Sequence, residues 1–176
     1  MLTLSAVPGP GVRLTGLDRP ITAYVPKAAQ PGDLVLLSTP EEEPGDDVLS
    51  WPGEYDREGV ALRGIGQLEG QRVSFLVIAD GIRCALLSAP LLEWADADLA
   101  QLGDVHVLVL PAEEPKRAQM LLEEIDPRVL VLVPGSDGSV DPEVIRVCGA
   151  TGKEFQTELK LKALPTEGRD VVVLSA

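Results

Sequence analysis

The chain has 176 residues and a formal net charge of −13, with 45% hydrophobic, 24% charged and only 3% aromatic residues. That length lets one domain, residues 1 to 176, bury a core without disulfides or a metal staple, and the apolar share excludes a disordered chain. The negative charge repels nucleic-acid phosphates and anionic membranes, so neither is an expected partner, and the sequence shows no local basic patch.

No long uninterrupted apolar stretch suggests a membrane span. The start MLTLSAVPGPG lacks the basic and apolar regions of a secretory signal, so the cytoplasm is the expected location. Two cysteines, Cys84 and Cys148, give no disulfide framework and are expected as buried reduced thiols. Arginine outnumbers lysine ten to five, asparagine is absent and proline is frequent. That bias suits a thermophilic source, and a GC-rich genome would produce much the same composition.

In chain order, LTL (2 to 4), GVRL (11 to 14), ITAYV (21 to 25) and DLVLLS (33 to 38) read as short strands separated by PGPG, DRP and QPGD turns, which predicts a meander. An acidic loop, EEEPGDD (41 to 47), follows. GVALRGI (59 to 65), RVSFLVIAD (72 to 80) and IRCALL (82 to 87) predict further antiparallel strands, the last two joined by an Asp80-Gly81 hairpin turn. The rhythm then changes. WADADLAQLG (94 to 103) predicts a helix closed by Gly103, VHVLVLP (105 to 111) a buried strand, and EEPKRAQMLLEEI (113 to 125) an amphipathic helix. RVLVLVP (128 to 134) predicts a second buried strand, and Asp141-Pro142 starts a helix running to about Val147. ELKLKAL (158 to 164) and DVVVLSA (170 to 176) read as a closing strand pair joined by the EGR turn. This order implies an α+β architecture of two sheets with helices outside, a four-layer αββα sandwich or part of one.

Several motifs fail on spacing. GATGK (149 to 153) has neither the first glycine nor the Ser/Thr of a phosphate loop and reads as a helix-ending turn. GIGQLEG (64 to 70) has the wrong glycine spacing for a dinucleotide site and reads as a loop. GSDGSVD (135 to 141) lacks the Asp spacing and terminal Glu of a calcium loop and reads as a turn with a helix cap. The lone histidine, His106, lies inside an apolar strand and is expected to be structural.

WPGEYDREGVALRGIG (51 to 66) resembles the Gly-Pro-Gly-Glu-Tyr-Glu-x-x-Gly-Val segment of small prokaryotic proteins of the metallo-β-lactamase superfamily, relatives of zinc-dependent hydrolases. The likeness continues through DGIRC (80 to 84), LGDVHVLVLP (102 to 111), EEIDPRVLVLVP (123 to 134) and LKLKALPTEGRDVVVL (159 to 174). The resemblance implies the same αββα sandwich, here reduced in size. Active relatives carry His-x-His-x-Asp-His after the strand matching residues 33 to 38. At those four positions this chain has Thr39, Glu41, Glu43 and Pro44. The relatives' His-Leu-Gly-Asp stretch falls on Ala85 to Ser88, so Ala85 and Ser88 replace a histidine and an aspartate, and the last metal histidine falls near Pro134.

A catalytic zinc site needs three protein ligands, usually rich in imidazole, and one open position. The resemblance therefore implies a vestigial site with no zinc and no cofactor. The Pro52, Gly53, Glu54 and Tyr55 segment is expected to be structural, with a turn built from Pro52 and Gly53 and Tyr55 filling the space beneath it. The function expected is a catalytically inactive member acting in binding or assembly, as a homo-oligomer or with an active paralogue. One alternative is a phosphoesterase-like hydrolase holding Mg²⁺ or Ca²⁺ at Glu41, Glu43, Asp46 and Asp47. Another is a small-ligand sensor using the emptied cleft.

Overall fold

The computed structural model describes residues 1 to 176. The first five strands are β1 (Leu2–Ala6), β2 (Val12–Thr15), β3 (Ile21–Ala23), β4 (Leu34–Leu36) and β5 (Val48–Leu49). Next come β6 (Gly53–Arg57), β7 (Val60–Gln67), β8 (Arg72–Ala79) and β9 (Ile82–Leu86). Helices and strands then alternate as α1 (Asp96–Leu102), β10 (Val107–Pro111), α2 (Pro115–Ile125), β11 (Val129–Val133) and α3 (Pro142–Val147). The chain closes with β12 (Phe155–Gln156), β13 (Glu158–Leu161) and β14 (Asp170–Leu174). No helix is long and apolar enough to cross a membrane.

These strands form a six-stranded sheet, in the order β13-β1-β2-β3-β4-β5, and an eight-stranded sheet, in the order β12-β14-β11-β10-β9-β8-β7-β6. The two sheets bury one face each against the other. Leu4, Leu14, Ile21, Leu34 and Leu36 meet Val73, Phe75, Val77, Leu86, Val109 and Val131 in that layer. The opposite face of the eight-stranded sheet buries Leu76, Ala85, Leu108, Leu110, Leu130 and Leu132 against all three helices. In β10 and β11 the valines therefore face the other sheet and the leucines face the helices, which is why both strands read as unbroken apolar runs. Each such leucine contributes roughly 1.5–3 kcal/mol through burial.

The six-stranded sheet has no helical layer outside it. Its outward positions, Thr3, Ser5, Arg13 and Thr15, are polar and only part-buried, as period-two alternation with one solvated face requires. The sandwich is the expected mixed α+β fold in reduced form, with helices over one sheet only.

Local signals account for the element ends. Asp80 and Gly81 both have positive φ, 52° and 76°, as a two-residue hairpin turn demands. Asp141 accepts a hydrogen bond from the Glu143 amide at 2.8 Å and caps α3. Gly103, with φ of 64°, ends α1.

Three expectations need correction. The first strands are a meander only through β3, because β3, β4 and β5 pair in parallel. The closing strands do not pair with each other: β13 pairs with β1 and β14 with β11, one in each sheet. Residues 64 to 67 belong to β7 rather than to a loop. A Cβ on Gly64 would lie 2.7 Å from the Trp51 carbonyl oxygen, and one on Gly66 2.8 Å from Pro52 Cγ, so these glycines admit the crossing chain. Gly53, Glu54 and Tyr55 open the edge strand β6 directly after Pro52, paired with Gly64, Arg63 and Leu62, and the Tyr55 hydroxyl donates back to the Trp51 carbonyl at 2.7 Å.

Candidate functional site

Three sets of polar contacts lie near strand ends in this sandwich, one made by Tyr24, one by Ser74 with Ser88, and one by Glu113. The Val73 amide donates to the Ser38 carbonyl at 2.8 Å, joining the end of β4's connection to the start of β8. Tyr24 follows β3 with φ of 69°, a left-handed conformation that costs a bulky residue of order 1–3 kcal/mol. Its hydroxyl offsets that cost. It accepts from the Phe75 amide at 2.9 Å and donates to the Leu86 carbonyl. Phe75 and Leu86 are register partners on β8 and β9, so the hydroxyl bridges two backbone groups of that strand pair. Burial raises the Tyr24 phenol above its ordinary value.

Just beyond this bridge, Ser74 Oγ accepts from the Ser88 amide at 3.0 Å and lies 3.1 Å from Ser88 Oγ. Glu113, immediately after β10, then ties the neighbouring loops together. Its carboxylate accepts from the Leu91 amide at 2.7 Å, the Ser136 amide at 2.7 Å and the Ser136 hydroxyl at 2.9 Å. A Cβ on Gly135 would lie 2.8 Å from that carboxylate, so glycine is what lets the post-β11 loop approach. Loops after β9, β10 and β11 are thus held by one anion.

The positions that the resemblance aligns with metal ligands separate into three groups. Thr39 and Ser88 lie on either side of the β8 start, through Ser38–Val73 and Ser74–Ser88, and Pro134 is buried at the end of β11 next to the loop that Glu113 holds. Glu41 and Glu43 are exposed and Pro44 part-buried on the acidic loop. Ala85 faces the helices, packed among Leu76, Leu108 and their neighbours, so its Cβ does not face the space between the sheets; Leu86 does.

Nowhere does the structure gather three or more His, Cys, Asp or Glu side chains into a group able to hold a metal ion. The residues present do not fit the zinc that the fold family implies, because zinc draws its ligands from those side chains. Glu41, Glu43, Asp46 and Asp47 do not converge either; all four are exposed, and Asp47 bonds Arg19. His106 serves the scaffold: its Nδ1 accepts from the Arg83 amide at 3.0 Å. Cys84 and Cys148 are unpaired and buried, and burial raises their thiols to about 12 and about 11, which leaves them protonated and unreactive near neutral pH.

Sequence reasoning missed Tyr24 and Glu113 as structural centres. Glu113 was visible in principle as the first charged residue after a fully buried strand. Tyr24, read only as part of a strand, gave no sign of its contact with residues more than fifty positions away.

No protein-family model matches the sequence, and no curated protein matches it. Solved structures do. A protein assigned as a zinc-dependent hydrolase of the metallo-β-lactamase superfamily from Thermotoga maritima superposes with a TM-score of 0.79 at 18% identity, covering 99% of each chain. A metallo hydrolase from the hyperthermophilic archaeon Ignicoccus hospitalis gives 0.59 at 11% identity, over 92% of this chain and 99% of its own. A variant of the β-hydroxylase CmlA gives 0.58 at 10% identity, over 92% of this chain and 54% of its own. Identities this low speak for architecture alone. The chain has the fold of metallo-β-lactamase superfamily hydrolases.

Proposed function

We propose that this chain uses the metallo-β-lactamase fold as a scaffold for binding or assembly and carries out no zinc-dependent hydrolysis. The observation that carries this reading is at the strand ends, where the polar side chains bond to the chain's own backbone. Tyr24 serves Phe75 and Leu86, Ser74 serves Ser88, and Glu113 serves Leu91 and Ser136. Groups committed in this way leave no set of donors converging on a shared point, which a metal-activated water requires. The partner in such a role is another protein chain, either a copy of this one or a catalytically competent relative.

The test is metal analysis of protein purified without chelators, with melting in the presence and absence of Zn²⁺, Mn²⁺ and Mg²⁺. The expected result is less than stoichiometric metal and no shift in melting temperature. A bound ion at ~100 times its dissociation constant would add roughly 2.7 kcal/mol of stability. Stoichiometric zinc together with turnover of phosphodiester or lactone substrates would overturn the proposal.

A further inference from the structure

An exposed aromatic platform lies beside the acidic loop. Trp51 is 47% exposed and lines a cleft of about 510 Å³ with Pro44, Val48, Leu49, Tyr55 and Arg57. The platform is set before any partner arrives. Trp51 Nε1 donates to the Glu41 carbonyl at 2.7 Å, and the Tyr55 hydroxyl donates to the Trp51 carbonyl at 2.7 Å. With both polar tips satisfied, ring surface is what remains for contact. The chain itself displays one group that such surface accepts: the Arg57 guanidinium lies 5.4 Å from the centroid of the Tyr55 ring.

The surrounding charge is mostly negative: Arg57 is the one cation lining the cleft, Asp46 lines it too, and the acidic loop lies beside it. Glu41, Glu42, Glu43 and Asp46 are exposed and take part in no salt bridge. A cation approaching Trp51 therefore meets an aromatic face and a negative potential together, whereas an anion is repelled. A second copy of this chain is a poor source of that cation, because its net charge of −13 is repelled by the same acidic loop. Each of its ten arginines already donates to an oxygen of its own chain.

We propose that the Trp51 cleft docks an arginine-bearing extended segment of a different protein. This rests on the reading of the chain as a binding component and specifies the chemistry of its partner. The interface combines a central aromatic anchor with a ring of carboxylates, so affinity comes from Trp51 and the salt dependence from the loop.

The test uses the full chain and a fluorescently labelled synthetic peptide of arginines spaced by glycine and serine, read by anisotropy across a salt series. Saturable binding is expected, weakened about tenfold or more by Trp51→Ala and largely kept by Trp51→Tyr. The triple change Glu41→Gln, Glu42→Gln, Glu43→Gln should weaken binding and flatten its salt dependence, while Glu154→Gln with Glu158→Gln, on the far edge of the sandwich, should change neither. Unchanged binding by Trp51→Ala, equal loss in the far-edge variant, or no saturable binding at low salt would each overturn the proposal. Zinc content of the same samples decides the scaffold reading separately. A zinc-free protein that binds no peptide removes this docking site alone, and a zinc-bearing, hydrolytic one removes the scaffold reading.

Discussion

The two ends of β4 carry acidic residues that behave in opposite ways. Before the strand, Asp33 is 4% exposed and fully engaged: Arg13 donates to both carboxylate oxygens at 2.9 and 2.8 Å, Thr22 Oγ1 at 2.7 Å and the Gln30 amide at 3.0 Å. After the strand, Glu41, Glu42 and Glu43 are exposed, and their side chains accept no hydrogen bond from the chain. The first carboxylate stabilises the fold and is costly to remove; the second group adds nothing to the fold and is free to act on something else. An acidic residue is thus informative only with its partners in view, because a buried charge must be paired whereas a surface charge is satisfied by water.

The largest effect expected from this contrast is at Asp33. Asp33→Ala leaves the Arg13 guanidinium and the buried Thr22 hydroxyl without their acceptor, and should cost about 3–5 kcal/mol in urea unfolding. A loss much below that range would remove the distinction between the two ends of β4. The pH dependence has a defined sign. Hydrogen bonding from Arg13 holds the Asp33 carboxyl well below the usual carboxylate range, so its stabilisation is complete above pH of about 4 and is lost as pH falls further. Asp33→Asn should flatten that acid limb of the stability profile.

Next in size is Glu113→Ala, which orphans the Leu91 and Ser136 amides and should cost about 2 kcal/mol. Hydrogen exchange should report it locally, as faster exchange at those two amides with little change in β10. Tyr24→Phe is expected to cost about 1–2 kcal/mol, since the Phe75 amide and Leu86 carbonyl lose their bridge while the ring stays. The phenol is raised by burial, so its stabilisation is complete below pH of about 10 and is lost as pH rises above that value. An unchanged alkaline unfolding limb in Tyr24→Phe would show that the bridge contributes nothing.

The smallest effect belongs to the acidic loop. Replacing Glu41, Glu42 and Glu43 with glutamine should leave the urea midpoint unchanged, because these side chains make no contact that folding requires. Adding Mg²⁺ or Ca²⁺ to the unaltered protein should also leave melting unchanged. A rise with either cation that disappears in the glutamine variant would restore the hard-cation reading.

Most of the element order was legible because it depends on short-range rules. The Val-Leu alternation of β10 and β11, the Asp80-Gly81 turn and the Asp141-Pro142 helix start each follow from a few adjacent residues. Errors arose where a distant chain segment decides local structure. Gly64 and Gly66 looked like loop residues because the sequence does not reveal Trp51 and Pro52 crossing above them. The closing strands looked like a hairpin because nothing in LKLKALPTEGRDVVVL says that its halves join different sheets.

The sequence by itself determined the fold class, the apolar layers and the fact that His106 is the one histidine of the chain. Those are matters of residue type and period, and they survive any uncertainty about long-range contacts. Only the tertiary structure decided which polar groups are used up and which are free. Tyr24 reaching Phe75 and Leu86, Glu113 gathering three loops, Asp33 meeting Arg13 and Ala85 turning toward the helices all depend on segments brought together across the sandwich. Hydrogen bonding and burial are pairwise properties in space, and a single residue in a sequence carries only its capacity for them.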